Sequence, residues 1–265
     1  MMKRLLLGID LQNDFCHPEG ALYVEGATDD LQNIIRLLEN AGDQFSEIII
    51  SMDSHFPIHI AHATYWKNEK GEHPASFSNI TYEDAINQRW IPQYFAQESL
   101  HYLKTLSENS GYQNTIWPPH CLIGTKGWAI PSELYRALSH WALQSGKNFE
   151  LYNKGSNPFT EHYSILKAAV EFEAIPSTCI DQSLLERFTT FNEIVIVGEA
   201  MDFCVASTIL DLIKSAPEIL QNLIILTDCM SNIIPNNETA ETIYEMAQKL
   251  GAKMMRSDEY LRQPS

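Results

Sequence analysis

Cys204 closes the run Ile194-Val195-Ile196-Val197-Gly198-Glu199-Ala200-Met201-Asp202-Phe203-Cys204-Val205, where an apolar strand pattern passes through a Gly-x-Ala turn into a helical one (Val205, Ile209, Leu212, Ile213). A helix N-terminus brings partial positive charge and free N–H groups, which favour thiolate over thiol and can hold a developing oxyanion. Most free cysteines are small buried core residues, so this segment alone leaves both readings standing. Two distant segments carry what a thiol nucleophile lacks. Arg4-Leu5-Leu6-Leu7-Gly8-Ile9-Asp10 is an apolar run ending in a carboxylate, and Phe149-Glu150-Leu151-Tyr152-Asn153-Lys154-Gly155 is a short strand pattern ending in a lysine. Charged groups at the C-terminal ends of strands in an open α/β sheet face the crevice where ligands bind. Asp10, Lys154 and Cys204 are therefore candidates to converge.

A second group has the composition of a metal site. Asp53 and His55 end another strand pattern, and because strand side chains alternate with period two they share a face. His59, His62 and the remote His120 add imidazoles. One carboxylate with two or three imidazoles suits a borderline cation such as zinc, with water in the open positions. A single histidine reads equally well as a surface or core residue, and His59 and His62 are held to that reading on position alone.

The elements that must carry these groups alternate along the chain. Strand patterns fall at 4–10, 47–52, 148–153, 193–198 and 222–227, with a last one at 252–256; helical patterns fall at 28–40, 131–144, 181–188, 202–214 and 237–249. Apolar strands with little alternation, interleaved with helices, predict a mostly parallel, doubly wound sheet inside a three-layer α/β/α sandwich. Residues 1–265 are read as one domain. Between His62 and Trp117 the rhythm breaks into a segment rich in aromatics, among them Tyr65, Trp66, Phe77, Tyr82, Trp90, Tyr94, Phe95, Tyr102 and Tyr112, without a clear strand and with a helical pattern at 88–107. A stretch of this length at about 63–116 is expected to be an inserted lid or an oligomer contact.

Composition agrees with a soluble enzyme. The chain has 265 residues, 45% of them hydrophobic, which is enough for a full core. Its formal net charge of −16 argues against nucleic acid or an anionic membrane surface as a partner, since both need a basic face. Five cysteines, an odd number without framework spacing, fit free thiols in a reducing compartment, and a cytoplasmic location is expected. The apolar run after Arg4 ends at Asp10, too soon for a signal peptide, and no stretch approaches a transmembrane span.

Taken in order, Asp10-x-Gln12-x-Asp14-Phe15, Pro18-x-Gly20-x-Leu22-x-Val24-x-Gly26-Ala27, Asp53-x-His55, Trp117-Pro118-Pro119-His120-Cys121, Lys154-Gly155 with Tyr163-Ser164, and Gly198-x-Ala200-x-Asp202-x-Cys204-Val205 resemble the nicotinamidases and pyrazinamidases of the isochorismatase-like cysteine hydrolase family. The resemblance runs from residue 4 to about residue 230. It implies a cysteine amidohydrolase that converts nicotinamide to nicotinate and ammonia through a thioester, with Asp10, Lys154 and Cys204 as catalytic residues. It further implies an oxyanion hole from the N–H groups of Ala200 and Cys204, presented through a cis peptide before the alanine. One divalent ion, with zinc expected, would be held by Asp53, His55 and His120, with His59 at a position that ligates metal in some relatives and Glu161 at one that binds metal-bound water. Phe15, Leu22, Trp117 and Tyr163 would wall the slot for a flat heteroaromatic amide. His62 matches no position of the family pattern, and Cys16, Cys121, Cys179 and Cys229 read as structural.

Two departures stand out. Glu199 occupies a place where an apolar residue usually precedes the alanine, which puts the local pocket in question, and Glu161-His162 replaces a more usual Asp-Ser. A metal-free family amidase acting on a carbamoyl or ureido compound would keep Asp10, Lys154 and Cys204 but would not need the Asp53, His55 and His120 set. An isochorismatase-type vinyl-ether hydrolase lacks that set too and usually acts without a nucleophilic cysteine, and a non-enzymatic binding protein has no reason to keep the triad. A small-molecule amide is the expected partner, and the sequence leaves a homo-oligomer open.

Overall fold

The computed structural model describes residues 2–109 and 113–263, so Tyr112 of the aromatic segment lies outside the described residues. The chain begins with β1 (Arg4–Ile9), α1 (Asn13–Cys16), α2 (Ala27–Ala41) and β2 (Glu47–Asp53). Short elements follow: β3 (Trp66–Lys67), β4 (Asn79–Ile80), α3 (Tyr82–Ile86), β5 (Ile91–Pro92), α4 (Ala96–Asn109) and β6 (Asn114–Thr115). Then come α5 (Ser132–Ser145), β7 (Glu150–Lys154), α6 (Gln182–Thr189), β8 (Glu193–Gly198), α7 (Ala206–Ser215), β9 (Leu223–Leu226), α8 (Glu238–Lys249), β10 (Lys253–Met255) and α9 (Ser257–Leu261).

Six strands form one all-parallel sheet in the order β10-β9-β8-β1-β2-β7. The chain leaves β1 toward β2 and β7, then returns to lay β8 on the other side of β1 and continues outward. Right-handed crossovers in opposite directions place helices on opposite faces. Accordingly α2 packs with α5 and α9, while α7 packs with α8. Leu5, Leu6, Leu7 and Ile9 of β1 and Ile194 to Val197 of β8 are buried on both faces, which is why these strands read as unbroken apolar runs. Both covering layers are amphipathic: α2 buries Leu31, Ile34, Leu37 and Leu38, and α7 buries Ile209 and Leu212. Asp181 and Asn237 cap α6 and α8 by accepting the N–H of Leu184 and Ala240.

The main sheet and its helices lie close to the expected bounds. The inserted segment does not. The expected helix at 88–107 is instead α4 at Ala96–Asn109, because Pro92 lacks an N–H and keeps Ile91 out of the helical region, so these two residues pair with β3 as a short antiparallel strand. β4 and β6 form a second such pair. Ladders of two residues are too short to leave a periodicity in sequence. The segment has its own apolar cluster around Tyr65, Trp66, Ile80, Tyr102, Leu103 and Ile116.

Candidate active site

The site forms at the point where the sheet order reverses, between the C-terminal ends of β1 and β8. Asp10 follows β1 directly and adopts φ 49°, a left-handed conformation that turns the chain sharply after the strand. Its backbone N–H donates to the Ser51 hydroxyl, and that hydroxyl donates to Asp10 Oδ1 at 2.6 Å. Asp53 and Lys154 are register partners at the ends of β2 and β7, which sets their side chains next to each other. At 2.1 Å from the Ile9 carbonyl oxygen there is no room for a Cβ on Gly198, so only glycine lets β8 close against β1 before the turn.

Lys154 is the hub. Its Nζ lies 2.8 Å from Asp10 Oδ2, 3.3 Å from Asp53 Oδ1 and 3.7 Å from Cys204 Sγ, and donates to the His162 carbonyl at 2.9 Å. All four side chains are buried. Two carboxylates around one ammonium hold the lysine well above its ordinary pKa despite the burial that opposes it. The thiol is another matter. Burial pushes Cys204 up, the Lys154 charge pulls it down, and Asp10 and Asp53 push it up again, so that it stands well above a usual cysteine. The pull of Lys154 toward a thiolate is thus opposed by burial and by the two carboxylates that share its charge.

Cys204 itself sits on a π-helical turn, Met201–Val205, that runs into α7. Such single turns insert one extra residue and are frequent at functional sites. The bond Glu199–Ala200 is cis, as the resemblance implied. Asp202 anchors the turn from below, accepting the N–H groups of Ile233 and Ile234 at 2.8 and 2.9 Å. Gln12 is a positioning side chain that the chemistry of its residue type did not announce. Its amide accepts the Asp53 N–H at 2.7 Å and donates to the Asp53 carbonyl at 2.8 Å, clipping β2 to the loop after β1.

A narrow cavity opens over the thiol. Phe15, Leu22, Trp117 and Tyr163 line it together with Asp53, His120, Glu161, Ala200 and Cys204. Phe203 and Ile233 line it as well, and neither was singled out from sequence. Phe203 presents its ring at 5.0 Å and 88° to Trp117 and at 5.5 Å to Tyr163, while Trp117 donates to the Tyr163 hydroxyl at 3.2 Å. Its signal was its place beside the cysteine, on a turn whose π geometry is invisible to a helical count. A roomier cavity lies on the far side of Tyr163, lined by Lys167, Asp211 and Lys214, and contains none of the triad.

The metal candidates gather beside the same cavity. Asp53 Oδ1 lies 3.5 Å from His55 Nε2, and its Oδ2 lies 3.2 Å from His120 Nε2. Glu161 Oε1 approaches His55 Nε2 at 3.5 Å. Ligand atoms of His55, His59 and Glu161 lie within 4.8 Å of one another, as do those of His55, His62 and His120. His62 matches no position of the family pattern, yet it lies inside the cluster in space. Burial alone would depress His55, but Asp53 and Glu161 push it to about 9. The pocket therefore calls for a positive charge. Buried Nε2 atoms of His55, His59 and His62 and Oε2 of Glu161 make no hydrogen bond, and imidazoles with carboxylates are the donor set of a borderline divalent ion, so the residues fit such a metal. Gly155, at φ 85°, is required by the same cluster, since a Cβ there would lie 2.7 Å from Asp53 Oδ1.

Among known proteins, the nicotinamidase of Acinetobacter baylyi is 30% identical over 224 residues, covering 84% of this chain and 79% of the relative. The chain belongs to the nicotinamidase family. A structure of the yeast nicotinamidase bound to the inhibitor nicotinaldehyde matches 96% of this chain and 99% of its own at 20% identity and a TM-score of 0.64. The pyrazinamidase of Pyrococcus horikoshii in complex with zinc matches 96% of this chain and 99% of its own at 20% identity and a TM-score of 0.54. These two likenesses concern the fold. No family model matches the chain.

Within this nicotinamidase-family site Glu199 does not disturb the pocket. Its carboxyl is fully buried and turned toward α2, where Ser231 bridges it to Asp30: the Ser231 N–H donates to Glu199 at 3.1 Å and the Ser231 hydroxyl donates to Asp30. Burial, and then the Asp30 charge, raise Glu199 well above the carboxylate range, so it is protonated in the folded chain and ionised in the unfolded chain above its ordinary pKa of about 4.3. With more protons bound in the native state, this group lowers stability as pH rises from that value toward the folded pKa. Glu199→Gln keeps an acceptor for Ser231 and removes the titration. The expected outcome is a melting-temperature advantage for the variant that widens from pH 5 to pH 8; equal pH slopes in the two proteins would show that Glu199 is ionised in the fold.

Proposed function

We propose that the protein hydrolyses nicotinamide to nicotinate and ammonia, with Cys204 as nucleophile. The observation that carries this reading is the meeting of a thiol, a carboxylate and a lysine with an aromatic slot and an imidazole cluster on one cavity. Asp10 takes the thiol proton as Cys204 Sγ attacks the amide carbonyl, and Lys154 holds the sulfur and the carboxylate in place throughout. The N–H groups of Ala200 and Cys204 hold the tetrahedral oxyanion, where loss of one donor typically costs ~3 kcal/mol of transition-state stabilisation. As the intermediate collapses, the C–N bond breaks and Asp10 returns its proton to the departing ammonia. Water then attacks the thioester, giving its proton to Asp10, and the acid leaves with the thiol restored. Phe15, Leu22, Trp117, Tyr163 and Phe203 sandwich the ring and exclude bulk water.

Asp53, His55 and His120 are the residues to hold a divalent ion, zinc in this reading, which when bound supplies Lewis acidity toward the ring nitrogen of the substrate. The zinc complex of the Pyrococcus horikoshii pyrazinamidase supports the choice of ion. We read 63–116 as a cover within one domain, supported by Phe77, whose ring packs edge-on against Trp117 at 5.8 Å. A cytoplasmic location accords with the free thiols, and among the described residues no helix is long and apolar enough to cross a membrane.

Ammonia release across nicotinamide, pyrazinamide, carbamoyl and ureido substrates, run with elemental analysis, tests the reading. Turnover of the two ring amides and roughly one equivalent of transition metal, lost in His120→Ala, are expected. Protein that binds no zinc and prefers a ureido or carbamoyl compound would overturn it in favour of a metal-free amidase.

A further inference from the structure

The imidazole cluster holds one more histidine than the family pattern supplies. We propose that His62 is itself a ligand of the divalent ion through Nε2, completing a face of three imidazoles with His55 and His120, and that His59, whose Nε2 carries the proton of the neutral ring, is not a ligand. The inference rests on the metal-centre reading above and adds to it a ligand assigned from this chain's own geometry.

The argument is one of tautomers. A carbonyl oxygen only accepts hydrogen bonds, so a ring nitrogen facing one must carry the proton, and in a neutral imidazole the lone pair then lies on the other nitrogen. His55 Nδ1 faces the His120 carbonyl at 3.3 Å, His120 Nδ1 faces the Pro118 carbonyl at 2.8 Å, and His62 Nδ1 faces the Pro57 carbonyl at 3.3 Å. All three rings are thereby fixed as Nδ1–H tautomers with Nε2 left as the donor atom, the arrangement typical of metal-bound histidine. His62 Nε2 is buried and makes no hydrogen bond. His59 is wired the other way. The Ala61 backbone N–H, which can only donate, points to His59 Nδ1 at 3.3 Å, so that nitrogen is bare and the neutral ring carries its proton on Nε2. A protonated Nε2 cannot ligate.

His62 is also as firmly placed as the accepted candidates. It pairs across an isolated bridge with Trp117, three residues before His120, and the neighbouring Trp117 N–H donates to the Ala61 carbonyl at 2.8 Å. The 59–62 turn, closed by the His62 N–H on the His59 carbonyl at 2.9 Å, carries the ring into the cluster. Three imidazoles beside Asp53 make a nitrogen-rich site that favours zinc, cobalt, nickel or copper over magnesium or manganese.

Cobalt(II)-substituted protein in ordinary water gives the test, because each metal-bound imidazole with an Nδ1–H contributes one exchangeable, strongly shifted proton resonance. Three such resonances are expected in the wild type, two in His62→Ala and three in His59→Ala. Cobalt affinity in chelator competition should fall at least ~10-fold in His62→Ala. Two resonances in the wild type, both retained in His62→Ala, would overturn the assignment while leaving the metal centre intact, and the wild-type count decides this even if the variant folds poorly. Loss of a resonance in His59→Ala instead would overturn it in favour of His59. Protein that takes up no cobalt would bring down the metal-centre reading and this inference together.

Discussion

Cys204→Ala is expected to lower amide hydrolysis by at least ~10,000-fold, since removing the nucleophile of a concerted triad costs nearly as much as removing the whole unit. The structure makes the expectation specific to one thiol. Cys16, Cys121 and Cys229 are buried with their thiols pushed up by burial and nearby carboxylates, and only Cys204 has an ammonium 3.7 Å away and a cavity open above it. Intact-mass analysis with nicotinaldehyde should therefore show a single adduct on the wild type, a thiohemiacetal formed by addition of the Cys204 S–H across the aldehyde, and none on Cys204→Ala. An adduct that persists in the variant, or activity that survives, would remove Cys204 from its role.

Asp10→Asn is expected to cost at least ~100-fold in kcat with KM little changed. Asparagine can still accept from Ser51, so the local frame survives, and Lys154 keeps Asp53 as a counter-charge at 3.3 Å. What is lost is the carboxylate that, in the proposed mechanism, takes the thiol proton, carries it to ammonia and later accepts one from water. That loss falls on the first step as well as on the later ones. A kcat within a few-fold of the wild type would show that the proton travels by another route.

Much of the site was legible because each element is short and ends at its chemistry. Apolar runs stopping at Asp10 and Asp53 announce buried strands and a short strand pattern stops at Lys154, and the parallel pairing of β1, β2 and β7 places their last residues side by side. The pocket was read incompletely. Phe203 falls inside the helical pattern at 202–214, which gives no sign of a pocket role, whereas in the fold a π turn carries it and its ring packs against Trp117. The inserted segment was misread at its centre for a local reason, Pro92, that competes with a helical pattern around it. Glu199 looked like a threat to the pocket because sequence does not say which way a side chain turns; Asp30 and Ser231, 169 and 32 positions away in the chain, take it up on the other side of the loop.

By itself the sequence determined the residue types and the ends of the elements: a thiol after a strand, two carboxylates and a lysine at strand tips, and an alternation of strands and helices that admits a doubly wound sheet. These are local properties, carried by hydrophobic periodicity and turn chemistry. Only the tertiary structure decided the order of the strands, which puts β8 beside β1 and so Cys204 beside Asp10. It alone decided the protonation of the thiol, since burial and the sum of three neighbouring charges come from distant parts of the chain. It also decided which ring nitrogen of each histidine is left bare, because a tautomer is set by whether a carbonyl or an N–H stands behind the ring, and that partner is chosen by the fold.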